Sequence, residues 1–392
     1  MPDSLSSRSG AGDEAELWIL FDGVGWCFAE ELGFLEWLPY RRPLRTVLGF
    51  SSTAVPSLLS GLAPRDHGGW TLYFKDPAAS PFAWTRWFCR VPIERIPKLR
   101  WKFRMWLHDR TVRVNRIEGY FALYDVPLRF RRFFDVAWRD GLFGNAPPFA
   151  TFLKVWLRAD PDAFVGTYPA SDERIRSEAA NAIAAGARRV FCYFGDLDAL
   201  LHAQANSIDD PLLKASFEEA DVWVRDQAAA MKRQHGAVRV IVFSDHGMTP
   251  TARSIDLRPE LRGLKIGRDY LCFLDSTLAR FWAAPAILED IRERMAGLPG
   301  RVLTDADIVA ERLPNEPERF GQLVWLADPG VCIAPSWMGS IAPQGMHGFS
   351  PSDAWSDGIV MSTDASVADA TDVVSLGTTL MGIARADVAE SS

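Results

Sequence analysis

The sequence predicts an α/β protein with a mostly parallel central sheet and helices on both of its faces. Three observations carry this reading. Residues 17–21, 189–195 and 238–243 are continuous apolar runs rather than alternating ones, as expected of strands buried on both faces. Segments with apolar residues at helical spacing separate them. Each run is followed closely by carboxylates: Asp22, then Asp196 and Asp198, then Asp245. In open α/β sheets the ligand crevice lies outside the carboxyl ends of the strands, so this pattern also marks a candidate site.

Taken in order, residues 1–15 are rich in Ser, Gly and acid and read as a disordered lead-in. Residues 16–390 read as one large domain. At 49–61, three hydroxyl residues, Ser51, Ser52 and Thr53, precede an apolar helical stretch. A helix is expected at 210–234, opened by Asp210-Pro211, with others at 285–297 and 370–384. Residues 75–140 stand apart: they hold 15 Lys and Arg against 7 Asp and Glu, in a chain whose net charge is −7. They also contain Trp84, Trp87, Trp101, Trp106 and Trp138. We read this stretch as a basic, aromatic-rich cap insertion. A solvated helical surface, a positively charged lid and peripheral contact with an anionic membrane are its three possible uses.

Composition narrows the classes further. A chain of 392 residues that is 48% hydrophobic can bury a sizeable core. The acidic balance argues against a nucleic-acid polymer as partner. Five scattered cysteines, odd in number and without a CxxC pair, suit reduced thiols of a cytoplasmic protein. The N-terminus shows no apolar secretory segment, and no run reaches the length of a membrane span. A cytoplasmic location is therefore expected.

The chemistry-bearing residues lie at the strand ends. Asp198 and His202 are four residues apart, which on a helical turn points both side chains the same way. Asp245 and His246 follow the strand 238–243 directly, with Gly247 to permit a tight bend. His347 sits in Gly-Met-His-Gly, where a packed core histidine is not expected. Any one Asp here could be a turn or cap residue. Together Asp22, Asp198, His202, Asp245, His246 and His347 form a candidate two-metal site. Three carboxylates and three imidazoles favour two Zn²⁺ ions, with Mn²⁺ as the alternative. The hydroxyls of Ser51–Thr53 stand where a helix N-terminus receives phosphate. A hydroxyl that also ligates a metal becomes a usable nucleophile.

The motifs FDG, GFSSTAVPSLLSGLAPRDHG, YFGDLDALLH, FSDHG and GMHGFSP, in that order, resemble the alkaline phosphatase superfamily. The likeness is closest to its nucleotide pyrophosphatase/type I phosphodiesterase branch. It implies an alkaline-phosphatase-like catalytic domain acting on a small anionic phosphoester. It implies one metal on Asp22, Asp245 and His246, and another on Asp198, His202 and His347. Ser51 would be both ligand and nucleophile, with Thr53 and then Ser52 as competitors or as substrate contacts. The implied reaction is hydrolysis of a phosphodiester or phosphomonoester through a phosphoserine. A phosphotransferase or mutase would use the same site, and a non-catalytic binding protein would keep only the fold. There are departures. Ala54 stands where that branch usually has a phosphate-holding Asn, so an Arg of the insertion or backbone N–H groups would have to orient the phosphate. The Pro and Arg of the sulfatase pattern are replaced by Thr53 and Val55, which disfavours a sulfatase-like hydrolase. His67 lies in a matching motif and is expected to be structural.

Overall fold

The computed structural model describes residues 14–88, 97–123, 125–205 and 207–390. Its centre is a six-stranded sheet in the order Tyr40–Leu44, Gly358–Ser362, Val238–Phe243, Ala15–Phe21, Arg189–Phe194, Phe164–Gly166. Ala15–Phe21 pairs in parallel with Arg189–Phe194 on one side and Val238–Phe243 on the other. Gly358–Ser362 is antiparallel to both of its neighbours. The expected lead-in 1–15 lies outside the described residues except for Glu14 and Ala15, and Ala15 already belongs to the first strand.

The pleat divides this strand between two cores. Leu17, Ile19 and Phe21 pack with Phe217 and Val224 of the helix Pro211–His235. Trp18 and Leu20 pack with Val55 and Leu58 of the helix Ser51–Ser60, and with Leu376 and Leu380 of the helix Val373–Glu390. A strand buried on both faces cannot alternate in polarity, hence its continuous apolar run. The helix Pro211–His235 begins one residue after its expected start because Asp210 is the cap, accepting from the N–H groups of Leu212 and Leu213.

A second, antiparallel sheet runs in the order Tyr270–Leu274, Leu278–Ala283, Leu323–Ala327, Gly300–Val302. The described part of 75–140 shares its apolar core with this sheet: Phe82, Leu107, Phe121 and Phe134 pack with Phe273 and Trp282. Its main helix is Pro97–Asn115. Among the described residues, no helix is long and apolar enough to cross a membrane.

Candidate metal centre and cavity

The parallel register brings the turns that carry the candidate ligands together. Phe21 pairs with Phe194 and Leu20 with Phe243, so Asp22, Asp196-Leu197-Asp198 and Asp245-His246 leave the sheet at one edge. The turns are knitted by short bonds. Gly23 N donates to Asp245 Oδ1 at 3.2 Å, and Thr46 Oγ1 to the Asp245 carbonyl at 2.7 Å. Two glycines make this approach possible. Gly23 has φ +70°, and a Cβ there would lie 2.5 Å from Asp198 Oδ1. At Gly247 a Cβ would lie 2.2 Å from the Trp355 carbonyl oxygen. Gly247 thus serves close backbone approach.

All six expected ligands converge. Asp22, Asp245 and His246 offer ligand atoms within 4.8 Å of one another, as do Asp198, His246 and His347. The rings of His246 and His347 stack at 3.8 Å. His202 Nε2 lies 3.4 Å from Asp198 Oδ2 but outside those two groups, so His246 rather than His202 completes the compact second set. The tautomers can be assigned from the bonds. His202 Nδ1 donates to the Gly345 carbonyl at 2.8 Å, and His246 Nδ1 to the Gly247 carbonyl at 2.9 Å. Each Nε2 is left with its lone pair toward the cluster, the orientation that metal-binding imidazoles adopt.

The electrostatics suit a cation. Burial, then the nearby charges of Asp245 and Asp198, push the Asp22 carboxyl well above its ordinary range. Burial pushes Asp245 up to about 7, and burial with the neighbouring imidazoles holds His347 well below the usual histidine value. Asp198 Oδ1, Asp245 Oδ2 and His347 Nδ1 are buried without a hydrogen-bond partner. Buried carboxylates crowded in this way need positive charge among them. The residues present therefore fit a metal.

The three hydroxyls separate cleanly. Ser51 is the first residue of its helix, with Phe50 as the cap. Ser51 Oγ lies 3.2 Å from Asp22 Oδ1 and 3.0 Å from His246 Nε2. One residue on, the helix turns Ser52 so that its Oγ is buried and unpaired, although Ser52 still lines the cavity. Thr53 is fully buried and donates to the Trp70 carbonyl. The expectation that Thr53 contacts substrate is therefore corrected: a helix advances about 100° per residue, which carries Thr53 away from the cavity. His67 is also held internally. Its Nδ1 accepts from Gly69 N at 3.1 Å, and its Nε2 meets Ser57 Oγ at 3.1 Å. Burial lowers its pKa to about 4.

Two residues escaped sequence reasoning. Tyr193 donates its hydroxyl to Asp22 Oδ2. Within an apolar run it reads as a strand residue, and only its place five residues before Asp198 sets it apart. Asp172 accepts from Gly195 N at 3.1 Å and Asp196 N at 2.9 Å, fixing the start of the helix Asp196–Gln204 that carries Asp198 and His202. Locally Asp172 looks like any acidic residue in the first turn of a helix. Asp22, Ser51, Asp198, His202 and His347 open onto a cavity of about 1010 Å³. Among the described residues no Lys or Arg lines it, so the described part of 75–140 does not turn its positive charge inward there.

A buried cluster of Asp and His at the carboxyl edge of a parallel sheet, with a hydroxyl at a helix N-terminus, defines a metal-dependent phosphoester hydrolase of the alkaline phosphatase superfamily. The chain belongs to the type I phosphodiesterase/nucleotide pyrophosphatase family, whose model matches residues 49–350. No curated protein matches its sequence. Solved structures share the fold. Murine ectonucleotide pyrophosphatase/phosphodiesterase 5 is 17% identical with a TM-score of 0.56, over 89% of this chain and 88% of that one. An inactive form of the murine protein in complex with AMP is 16% identical with a TM-score of 0.59, over 95% of each chain. The human protein is 16% identical with a TM-score of 0.56, over 89% of this chain and 87% of that one.

Proposed function

We propose that this chain is a phosphodiesterase that works through a phosphoserine on Ser51 in a two-metal site. The observation that carries the reading is Ser51 Oγ standing between Asp22 Oδ1 and His246 Nε2 at the mouth of the acid–imidazole cluster. Asp22, Ser51, Asp245 and His246 would hold one ion, and Asp198, His202 and His347 the other. The donor set suits Zn²⁺ first and Mn²⁺ second. Such ions supply charge neutralisation at the phosphoryl oxygens and a lowered pKa for a bound hydroxyl.

The chain's own groups do the rest. Ser51 Oγ, set between Asp22 and His246, loses its proton to solvent water and forms the new O–P bond as the ester O–P bond breaks, and the departing ester oxygen takes a proton from water to leave as the alcohol. Water then forms an O–P bond at the same phosphorus, and the Ser51 O–P bond breaks. Tyr193 and Asp172 keep Asp22 and the Asp198 helix in register. With no Asn at position 54, the free N–H groups of Ser51 and Ser52 are the donors available for phosphate, since those of Thr53 and Ala54 are taken by the Phe50 carbonyl. The AMP carried by the murine relative favours a substrate with one phosphoryl group between two substituents or at the end of one.

We read 75–140 as a cap inserted into a catalytic domain of 16–390. Its exposed Trp87 and Trp106, with Arg86, Lys102, Arg110 and Arg113 also exposed, support peripheral contact with an anionic lipid surface. A cytoplasmic setting rests on Cys27, Cys192, Cys272 and Cys332 being free. The direct test is metal analysis of the purified protein together with nitrophenyl mono- and diester assays under Zn²⁺ and Mn²⁺ reconstitution. Turnover of diesters that disappears in Ser51→Ala supports the reading. Turnover that survives in Ser51→Ala removes Ser51 as nucleophile.

A further inference from the structure

We propose that Trp138 is a positioning residue for Ser51: its indole N–H stands in for the backbone donor that Pro56 withholds from the Ser51 helix, and so ties the stretch 75–140 to the turn that carries the candidate nucleophile; this rests on the phosphoester reading above. In a regular helix the Ser52 carbonyl would accept from the backbone N–H of residue 56, four positions on. Residue 56 is Pro, inside the helix Ser51–Ser60. Proline has no N–H, and its ring crowds the carbonyl four residues back. A carbonyl left unmet in a partly buried turn costs stability and loosens that turn. Here the gap is filled from another part of the chain: Trp138 Nε1 donates to the Ser52 carbonyl at 2.7 Å. The peptide unit joining Ser52 to Thr53 is thereby held at both ends, since the Thr53 N–H donates to the Phe50 carbonyl at 2.7 Å. Ser51 lies inside the loop this closes, with its Oγ 3.2 Å from Asp22 Oδ1 and 3.0 Å from His246 Nε2.

The indole is built into its place. Trp138 has φ +55°, a left-handed conformation that a bulky residue adopts only where its surroundings hold it. Its own carbonyl accepts from Gly141 N at 2.9 Å, and the next carbonyl, of Arg139, accepts from the N–H groups of Glu118 and Gly119 at 2.7 and 2.9 Å. The ring meets Phe149 edge to face, centroids 5.6 Å apart. On its other side a Cβ at Gly69 would run into the same ring, so glycine permits the approach. Pro56 and Trp138 therefore form one device: the proline opens an acceptor in the first turn of the helix, and the tryptophan closes it from 75–140. A reacting group displaced by about 1 Å loses on the order of 10² in rate, so loss of this donor should be read in kcat.

The test removes the indole N–H in two ways, by Trp138→Phe and by placing benzothienylalanine at position 138, which keeps the bicyclic shape with sulfur in place of the N–H. With a nitrophenyl diester, kcat should fall about tenfold in both, while KM changes by less than about twofold. Pro56→Ala returns a backbone N–H to position 56. In Trp138→Phe/Pro56→Ala, kcat should therefore recover to within about threefold of Pro56→Ala alone, a coupling that packing of the ring would not produce. Hydrogen exchange at the Thr53 and Ala54 amides should quicken by about tenfold in Trp138→Phe and slow again in the double variant. A loss of equal size with and without Pro56→Ala, a change confined to KM, an unaltered kcat in the benzothienylalanine protein, or unaltered amide exchange would overturn the proposal. If the wild type cleaves no nitrophenyl ester, the phosphoester reading fails, and the exchange arm still decides whether Trp138 holds the Ser51 turn.

Discussion

The Tyr193 hydroxyl donates to Asp22 Oδ2 while Ser51 Oγ lies 3.2 Å from Asp22 Oδ1, so one carboxylate is clamped between a phenol and the candidate nucleophile. Tyr193→Phe removes that donor and leaves the packing of the ring. We expect kcat/KM to fall by roughly 10-fold or more, the usual effect of losing a group that orients a metal ligand. Circular dichroism should show an unchanged fold. A Phe variant with wild-type kinetics would separate Tyr193 from the site.

Ser51→Ala should abolish diester turnover by on the order of 10³-fold or more. Ser52→Ala should cost far less, because its hydroxyl is buried and unpaired. Thr53→Val should act on stability instead, by about 1 kcal/mol, since it strips the donor from the Trp70 carbonyl. Side-by-side kinetics and urea unfolding of the three variants distinguish these outcomes. Thr53→Val as the one inactive variant would reassign the nucleophile.

Asp245→Ala should lose bound metal as well as activity, because Asp245 Oδ2 is one of the buried acceptors with no hydrogen-bond partner. Elemental analysis after dialysis reads the first and a nitrophenyl ester assay the second. Wild-type metal content in this variant would show that the cluster does not hold its ion through Asp245.

His67 sets a pH dependence of stability unrelated to the metal centre. Its folded-state pKa is lowered to about 4, whereas an unfolded histidine titrates near 6.5. Between those values the unfolded chain holds a proton that the folded chain refuses. Stability is thus lost as pH falls from about 6.5 toward 4, by up to roughly 3 kcal/mol. His67→Gln should remove that part of the slope in denaturant midpoints across this window. An unchanged slope would mean that His67 is protonated in the fold.

How far the sequence could be read follows from where each signal resides. The central strands were legible because burial on both faces leaves no polar position to confuse the pattern. The convergence of the Asp and His residues was legible because parallel register converts "carboxylate after a strand" into spatial neighbourhood. The four-stranded antiparallel sheet went unread, since Tyr270–Leu274 and Leu278–Ala283 mix Arg280, Asp275 and Thr277 into the run and bury them through tertiary contacts. Asp172 was invisible for a related reason: its partners, Gly195 and Asp196, are more than twenty residues away. The direction in which the charge of 75–140 faces was not legible. Composition reports how many arginines there are but not which way they face, and Arg139 faces Asp135.

Asp22 and His347 stand at opposite ends of the chain, more than 300 residues apart. One follows the central strand, and the other follows the short segment Gly345–Met346, which pairs with Thr249–Pro250. An ion shared across that cluster would act as a clasp on the whole polypeptide, closing its largest loop without a covalent bond. The midpoint of heat unfolding should then climb with the logarithm of free metal concentration.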